Sequence, residues 1–134
     1  MTGECLCGAV RFAVDEPFVG AGFCHCTTCK KISGGVGTAS GRVRTNAIRL
    51  LAGEEHVRTF QPAEGTAKSF CGICGSNLLG GGWPDSEWTS VRLSTLDEPV
   101  DVQPDSHTYV RSVVPWETLP DDGLPRHEGA RPSA

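Results

Sequence analysis

The chain has 134 residues, of which 7 are Cys, and its 12 Lys and Arg against 16 Asp and Glu leave a net charge of −4. Cysteine at about 5% is too sparse for a disulfide scaffold and too rich for an ordinary cytosolic domain, and an odd count excludes complete pairing. An acidic balance without a basic stripe argues against a duplex nucleic-acid binder, and no apolar run approaches the roughly 18 residues that span a bilayer.

The length suits one domain, expected over residues 1–128, with 129–134 as a frayed polar tail. Met1-Thr2-Gly3-Glu4-Cys5 lacks the basic and then apolar stretch of a signal peptide. A reducing cytoplasm is therefore expected, where thiolates bind metal more often than they pair.

Cys5 to Val14 alternates with period two and reads as a strand, Leu6, Val10, Phe12 and Val14 on one face and Cys5, Cys7, Arg11 and Ala13 on the other. Pro17 breaks it, and Phe18 to Phe23 reads as a second, short strand. Thr27 to Ser33 is expected to form one or two helical turns ended by Gly34-Gly35. Beyond them the β signals dominate: Val36 to Val43, Ile48 to Leu51, His56 to Phe60, Ala67 to Phe70, Trp88 to Leu96 and His107 to Val114. Gly80-Gly81-Gly82 and Asp97-Glu98-Pro99 read as turns or close backbone approaches. The class is all-β with little helix.

The cysteines form three groups: Cys5-x-Cys7, Cys24-x-Cys26-x-x-Cys29 and Cys71-x-x-Cys74. Cys71-Gly72-Ile73-Cys74-Gly75 has the form of a metal knuckle, in which glycine permits the tight turn and backbone N–H groups face the sulfurs. A closed zinc site needs four ligands, and Cys5 with Cys7 are the natural second pair for Cys71 and Cys74. A redox dithiol is the competing reading of Cys71 and Cys74, but no strand-then-helix context supports it. Cys24, Cys26 and Cys29 can converge on one metal and leave its fourth position open, as catalytic zinc sites do. A divalent ion with three thiolates is net −1, a weak activator of water but a soft partner for a thiol. Lys30, Lys31 and His25 adjoin this group and could offset its charge. Two alternatives stay open: a remote ligand such as His107 could close the site, or the three thiols could hold part of an iron–sulfur cluster.

Other residues carry blander expectations. His25 is expected to support or face solvent rather than ligate, because neighbours in an extended segment point to opposite sides. His107 and Tyr109 are expected as an ordinary strand pair, and Trp83-Pro84 and Pro115-Trp116 as packing rather than pocket walls. Glu54-Glu55 and Asp121-Asp122 are expected as solvated turns. Gly80-Gly81-Gly82 lacks the following helix and Lys-Ser/Thr of a phosphate loop.

Cys5-x-Cys7-Gly8-Ala9-Val10-Arg11-Phe12, Cys24-His25-Cys26-x-x-Cys29-Lys30 and Phe70-Cys71-x-x-Cys74-Gly75-Ser76 stand in a familiar order. With Ser94-x-Leu96-Asp97-x-Pro99, Pro115-Trp116 and Asp122-Gly123-Leu124-Pro125-Arg126, the chain resembles the glutathione-dependent formaldehyde-activating enzyme family, which also includes centromere protein V. The likeness extends over about residues 3–128. It implies an Mss4-like β-tent with two zinc ions. Cys5, Cys7, Cys71 and Cys74 would hold the structural ion, and Cys24, Cys26 and Cys29 the catalytic one. The activity it implies is carbon–sulfur bond formation between glutathione and formaldehyde, a lyase chemistry, with small-molecule thiol and aldehyde as partners and neither nucleic acid nor membrane. The competing expectation is a non-catalytic zinc module with two structural sites and a fourth protein ligand at the second.

Overall fold

Period-two burial interrupted by Gly and Pro yields ten strands of two to seven residues and one α-helix among the residues described, 1–100 and 102–132 of a computed structural model. In chain order they are β1 (Thr2–Glu4), β2 (Arg11–Val14), β3 (Gly20–Cys24), α1 (Thr27–Ser33), β4 (Thr38–Arg44), β5 (Ile48–Ala52) and β6 (Val57–Phe60). There follow β7 (Lys68–Cys71), β8 (Asn77–Gly80), β9 (Trp88–Arg92) and β10 (His107–Thr108).

The strand expected over Cys5 to Val14 is divided. Cys5 and Cys7 lie in a turn between β1 and β2, closed by the Gly8 N–H donating to the Cys5 carbonyl at 3.0 Å, and Gly8 takes the left-handed φ of +78° that glycine tolerates. Leu6, placed by alternation with Val10 and Phe12, sits at the turn's tip and is 88% exposed. The turn, not strand alternation, brings the two sulfurs to one side. The run from Trp88 likewise ends early, Leu93–Thr95 forming a 3-10 turn, and of the run from His107 only two residues pair before a second 3-10 turn at Val110–Ser112. Strands β1 and β8 lie outside the expected runs, being short and glycine- or asparagine-bearing.

Strands β1, β2 and β5 make one sheet in that order; β10-β3-β4-β9-β8-β7-β6 make the other. Neighbours run antiparallel except β10, which lies parallel to β3. Phe12 and Val14 from the small sheet, with Val10 just before β2, pack with Val43, Leu78, Leu79 and Val91 from the large one, and Cys5 and Cys71 join this core. Burial of these side chains stabilises each by about 1.5–3 kcal/mol. Helix α1 covers the span expected; the Cys26 side chain caps its start, and Gly34 at φ +68° ends it by donating its N–H to the Lys30 carbonyl.

The tail expected to fray is held over its described part. The Gly129 carbonyl accepts the Tyr109 N–H at 2.9 Å and Arg131 pairs with Asp105, and just before the tail the Pro125 and His127 carbonyls accept the His107 and Val110 N–H groups at 2.9 and 3.0 Å. Its polarity reflects an edge position beside β10 rather than disorder; residues 133–134 lie outside the described residues.

Candidate functional site

The sequence brings Cys5, Cys7, Cys71 and Cys74 together from two turns, and their sulfurs all lie within 4.8 Å of one another. Cys5 Sγ is 3.5 Å from Cys7 Sγ, and Cys7 Sγ 3.8 Å from Cys71 Sγ. These spacings far exceed a disulfide bond of about 2.05 Å. They match the edge of about 3.8 Å that a tetrahedron with metal–sulfur bonds of about 2.3 Å requires. The Val10 N–H donates to Cys5 Sγ at 3.3 Å and the Ile73 N–H to Cys71 Sγ at 3.4 Å, as a knuckle that supports thiolates demands. The Ser76 hydroxyl and N–H hold the Cys74 thiol down at about 5. Cys7 is pushed up to about 12: the Ala9 N–H opposes the rise, but desolvation and the thiols of Cys5, Cys74 and Cys71 outweigh it. Such a spread is that of clustered sulfurs that cannot all ionise without a cation. The donor set fits zinc.

Cys24 ends β3, Cys26 caps α1 and Cys29 lies in its first turn, so strand end and helix start together converge three sulfurs. Cys26 Sγ accepts the Cys29 N–H at 3.3 Å and lies 3.4 Å from Thr28 Oγ1. Hydrogen bonds from Cys24 and Cys29, then from Thr28 and the Cys29 N–H, hold the Cys26 thiol well below the ordinary range. Cys24 is pushed well above it by sharing with Cys26 and Cys29 and by burial. No further His, Cys, Asp or Glu joins this triad among the described residues. The donors fit a soft divalent ion with one position left for another ligand.

His107 is not that ligand. Its Nδ1 lies 2.9 Å from His25 Nε2 and its Nε2 2.8 Å from Asp122 Oδ2, so both nitrogens are engaged. His25, 4% exposed, does not join the sulfurs between which it stands; its Nδ1 lies 3.4 Å from the Val36 carbonyl oxygen and 4.0 Å from Glu117 Oε1. Asp122, expected as part of a solvated turn, instead anchors this buried pair.

The triad opens on a cavity of about 680 Å³, within the range of small-molecule sites. Arg42, Lys68, Arg92, Arg111 and Arg131 line it, together with one carboxylate, Glu64. A chain of net charge −4 thus gathers positive charge around its three-sulfur centre. Tyr109 lines the cavity too, with the Arg111 guanidinium over its ring at 5.5 Å, whereas Trp83 packs against the core and Trp116 is exposed. Lys30, expected to offset the triad's charge, instead donates to the Ser112 carbonyl, and Lys31 is exposed. Two cations of the lining are buried, Lys68 and Arg92. Burial pushes the Arg92 guanidinium down, and the charges of Cys29, Cys24 and Cys26 oppose that shift. No spacing rule singles out Arg92. Its one sequence signal is a charge at the end of a strand that alternates half-buried and buried residues.

No helix is long and apolar enough to cross a membrane. A curated relative from Halomonas elongata, provisionally named a glutathione-dependent formaldehyde-activating enzyme, is 33% identical over 87 residues, covering 58% of this chain. The match spans 54% of that relative, about half its length. The crystal structure of a Rhodobacter sphaeroides structural-genomics target has the same fold, with a TM-score of 0.61, 22% identity, and coverage of 95% of this chain and 99% of that one. The model of the glutathione-dependent formaldehyde-activating enzyme family matches residues 1–112, and the chain belongs to that family.

Proposed function

We propose that this chain is a zinc-dependent carbon–sulfur lyase that joins a glutathione-like thiol to a small aldehyde such as formaldehyde. The observation that carries this reading is the cysteine triad without a fourth protein ligand among the described residues, set in the wall of a cation-lined cavity. In this reading Cys5, Cys7, Cys71 and Cys74 hold a structural zinc, and Cys24, Cys26 and Cys29 a catalytic one.

A zinc ion at the triad would supply a soft Lewis acid at which the substrate thiol gives up its proton to solvent. The cavity's own residues do the positioning. Lys68 and Arg111 offer charge-assisted hydrogen bonds to carboxylates of an anionic thiol, and so fix its sulfur near the triad. The thiolate sulfur attacks the carbonyl carbon, the carbon–sulfur bond forms as the carbonyl π pair moves onto oxygen, and that oxygen takes a proton from water in the open cavity. A non-catalytic second site is the less supported reading, because it needs a fourth protein ligand and His107 is engaged elsewhere.

The test combines metal content, turnover and zinc-edge absorption. Two zinc ions per chain, a change in the absorption edge on adding glutathione, and loss of turnover in Cys26→Ser are expected. One zinc per chain, or full turnover in Cys26→Ser, overturns the reading.

A further inference from the structure

We propose that Arg92 is the built-in counter-charge of the Cys24–Cys26–Cys29 centre and sets how tightly that centre holds its metal and an incoming thiolate. The inference rests on reading the triad as a zinc site open to a thiol.

Arg92 is only 6% exposed, yet its bonding partners are all neutral. Its Nε donates to Asn77 Oδ1 at 2.7 Å, and its Nη1 to Ser40 Oγ at 2.8 Å and to Thr38 Oγ1 at 3.4 Å. Its Nη2 is buried and finds no acceptor among the described residues. A buried guanidinium without an anion is strongly destabilising, so a counter-charge is required. Strand pairing supplies it: Arg92 lies opposite Ser40, and Thr38, two residues along β4, lies opposite Cys24. The triad and Arg92 thus face the same cavity.

Three other cations of the cavity are occupied differently: Arg131 pairs with Asp105, Arg42 lies over the Trp88 ring and Arg111 over Tyr109. Lys68 is also buried and donates to neutral Thr66 Oγ1, but unlike Arg92 Nη2 its nitrogen has an acceptor. Room for the guanidinium comes from Gly80, where a Cβ would stand 2.6 Å from Arg92 Nη2. The charge arithmetic then favours ligand exchange. Three thiolates and a divalent ion sum to −1, and a fourth thiolate makes −2, which a half-buried site resists. With Arg92 the two states are 0 and −1, so both metal and thiolate are held more tightly.

Arg92 acts through the metal centre and is a positioning residue, so binding rather than turnover tests it. The probes are zinc affinity at the second site, and 2-mercaptoethanol affinity read from the visible spectrum of cobalt-loaded protein. Mercaptoethanol has no carboxylate, so the cavity's other cations have nothing to pair with. Arg92→Gln is expected to weaken both on the order of ten- to hundredfold while the four-cysteine site keeps its metal, and Arg92→Lys to stay near wild type. Wild-type affinities in Arg92→Gln, or equal losses in Arg92→Lys and Arg92→Gln, overturn the proposal. Should Arg92→Gln not fold, Gly80→Ala decides, because it keeps the charge but displaces Nη2. Its mercaptoethanol affinity is expected to fall, and a value equal to wild type overturns the proposal. A wild-type cobalt spectrum indifferent to mercaptoethanol instead overturns the open-site reading, and the zinc affinities alone then decide Arg92.

Discussion

His25 and His107 stack with ring centroids 5.2 Å apart and are joined nitrogen to nitrogen at 2.9 Å. This contact ties the junction of β3 and α1, between Cys24 and Cys26, to β10, which is remote in sequence. Replacing His107 by Phe keeps an aromatic ring against Phe23 but leaves His25 Nε2 buried without a partner. We expect a stability loss of about 1–3 kcal/mol, checked by denaturant unfolding at constant metal content.

The same chain of contacts makes stability depend on pH. The His107 hydrogen bond, and then the Leu124 N–H, hold the Asp122 carboxyl below the usual carboxylate range. A depressed folded pKa contributes stability that is complete above the unfolded value of about 3.9 and is lost as pH falls through the folded one. The difference in stability between wild type and Asp122→Asn should therefore be constant near neutrality and shrink as pH drops below about 4. A difference that grows on acidification would contradict the hydrogen bond.

Metal-free protein should show unequal thiols in the triad. Cys26 is held low and Cys24 high, so alkylation at a pH below the ordinary thiol range should mark Cys26 first and leave Cys24 unmodified. Peptide mapping after brief iodoacetamide treatment checks the order. Loaded protein should resist alkylation at all three positions.

Removing one ligand from each cluster should separate fold from chemistry. Cys71→Ala opens the contact between the two turns and should lower both metal content by one equivalent and the thermal midpoint. Cys26→Ser should also lose one equivalent, but with a smaller change in midpoint and loss of turnover. Elemental analysis beside calorimetry distinguishes them.

The cavity's charge should act on the substrate's carboxylates. Lys68→Ala and Arg111→Ala each remove one cation from the lining and should raise KM for glutathione by about three- to tenfold, with little effect on a thiol that lacks carboxylates. Steady-state rates with both thiols give the comparison.

Much of this site is legible in the cysteine spacing. The four-plus-three division follows from ligand counting, and α1 from Thr27 to the glycines after Ser33, because metal geometry and helix ends are local properties. The alternation from Cys5 to Val14 suits a strand and a turn at Cys5–Gly8 equally well; the left-handed Gly8 and its N–H bond to the Cys5 carbonyl decide between them. Arg92, His107 and Asp122 show a different limit. Their roles arise from pairings between distant strands and from a C-terminal segment laid beside β10, and no local pattern encodes those neighbours.

Cys7 and Cys71 stand 64 positions apart along the chain. During synthesis the first knuckle therefore leaves the ribosome well before the second, and for that interval its thiols have no sulfur partners from residues 71–74. At about 5–20 residues per second this lasts several seconds, long enough for an oxidant or a scavenging metal to intercept the nascent chain. The cysteine cluster of the finished core is thus incomplete, and open to such reactions, while the protein is being made.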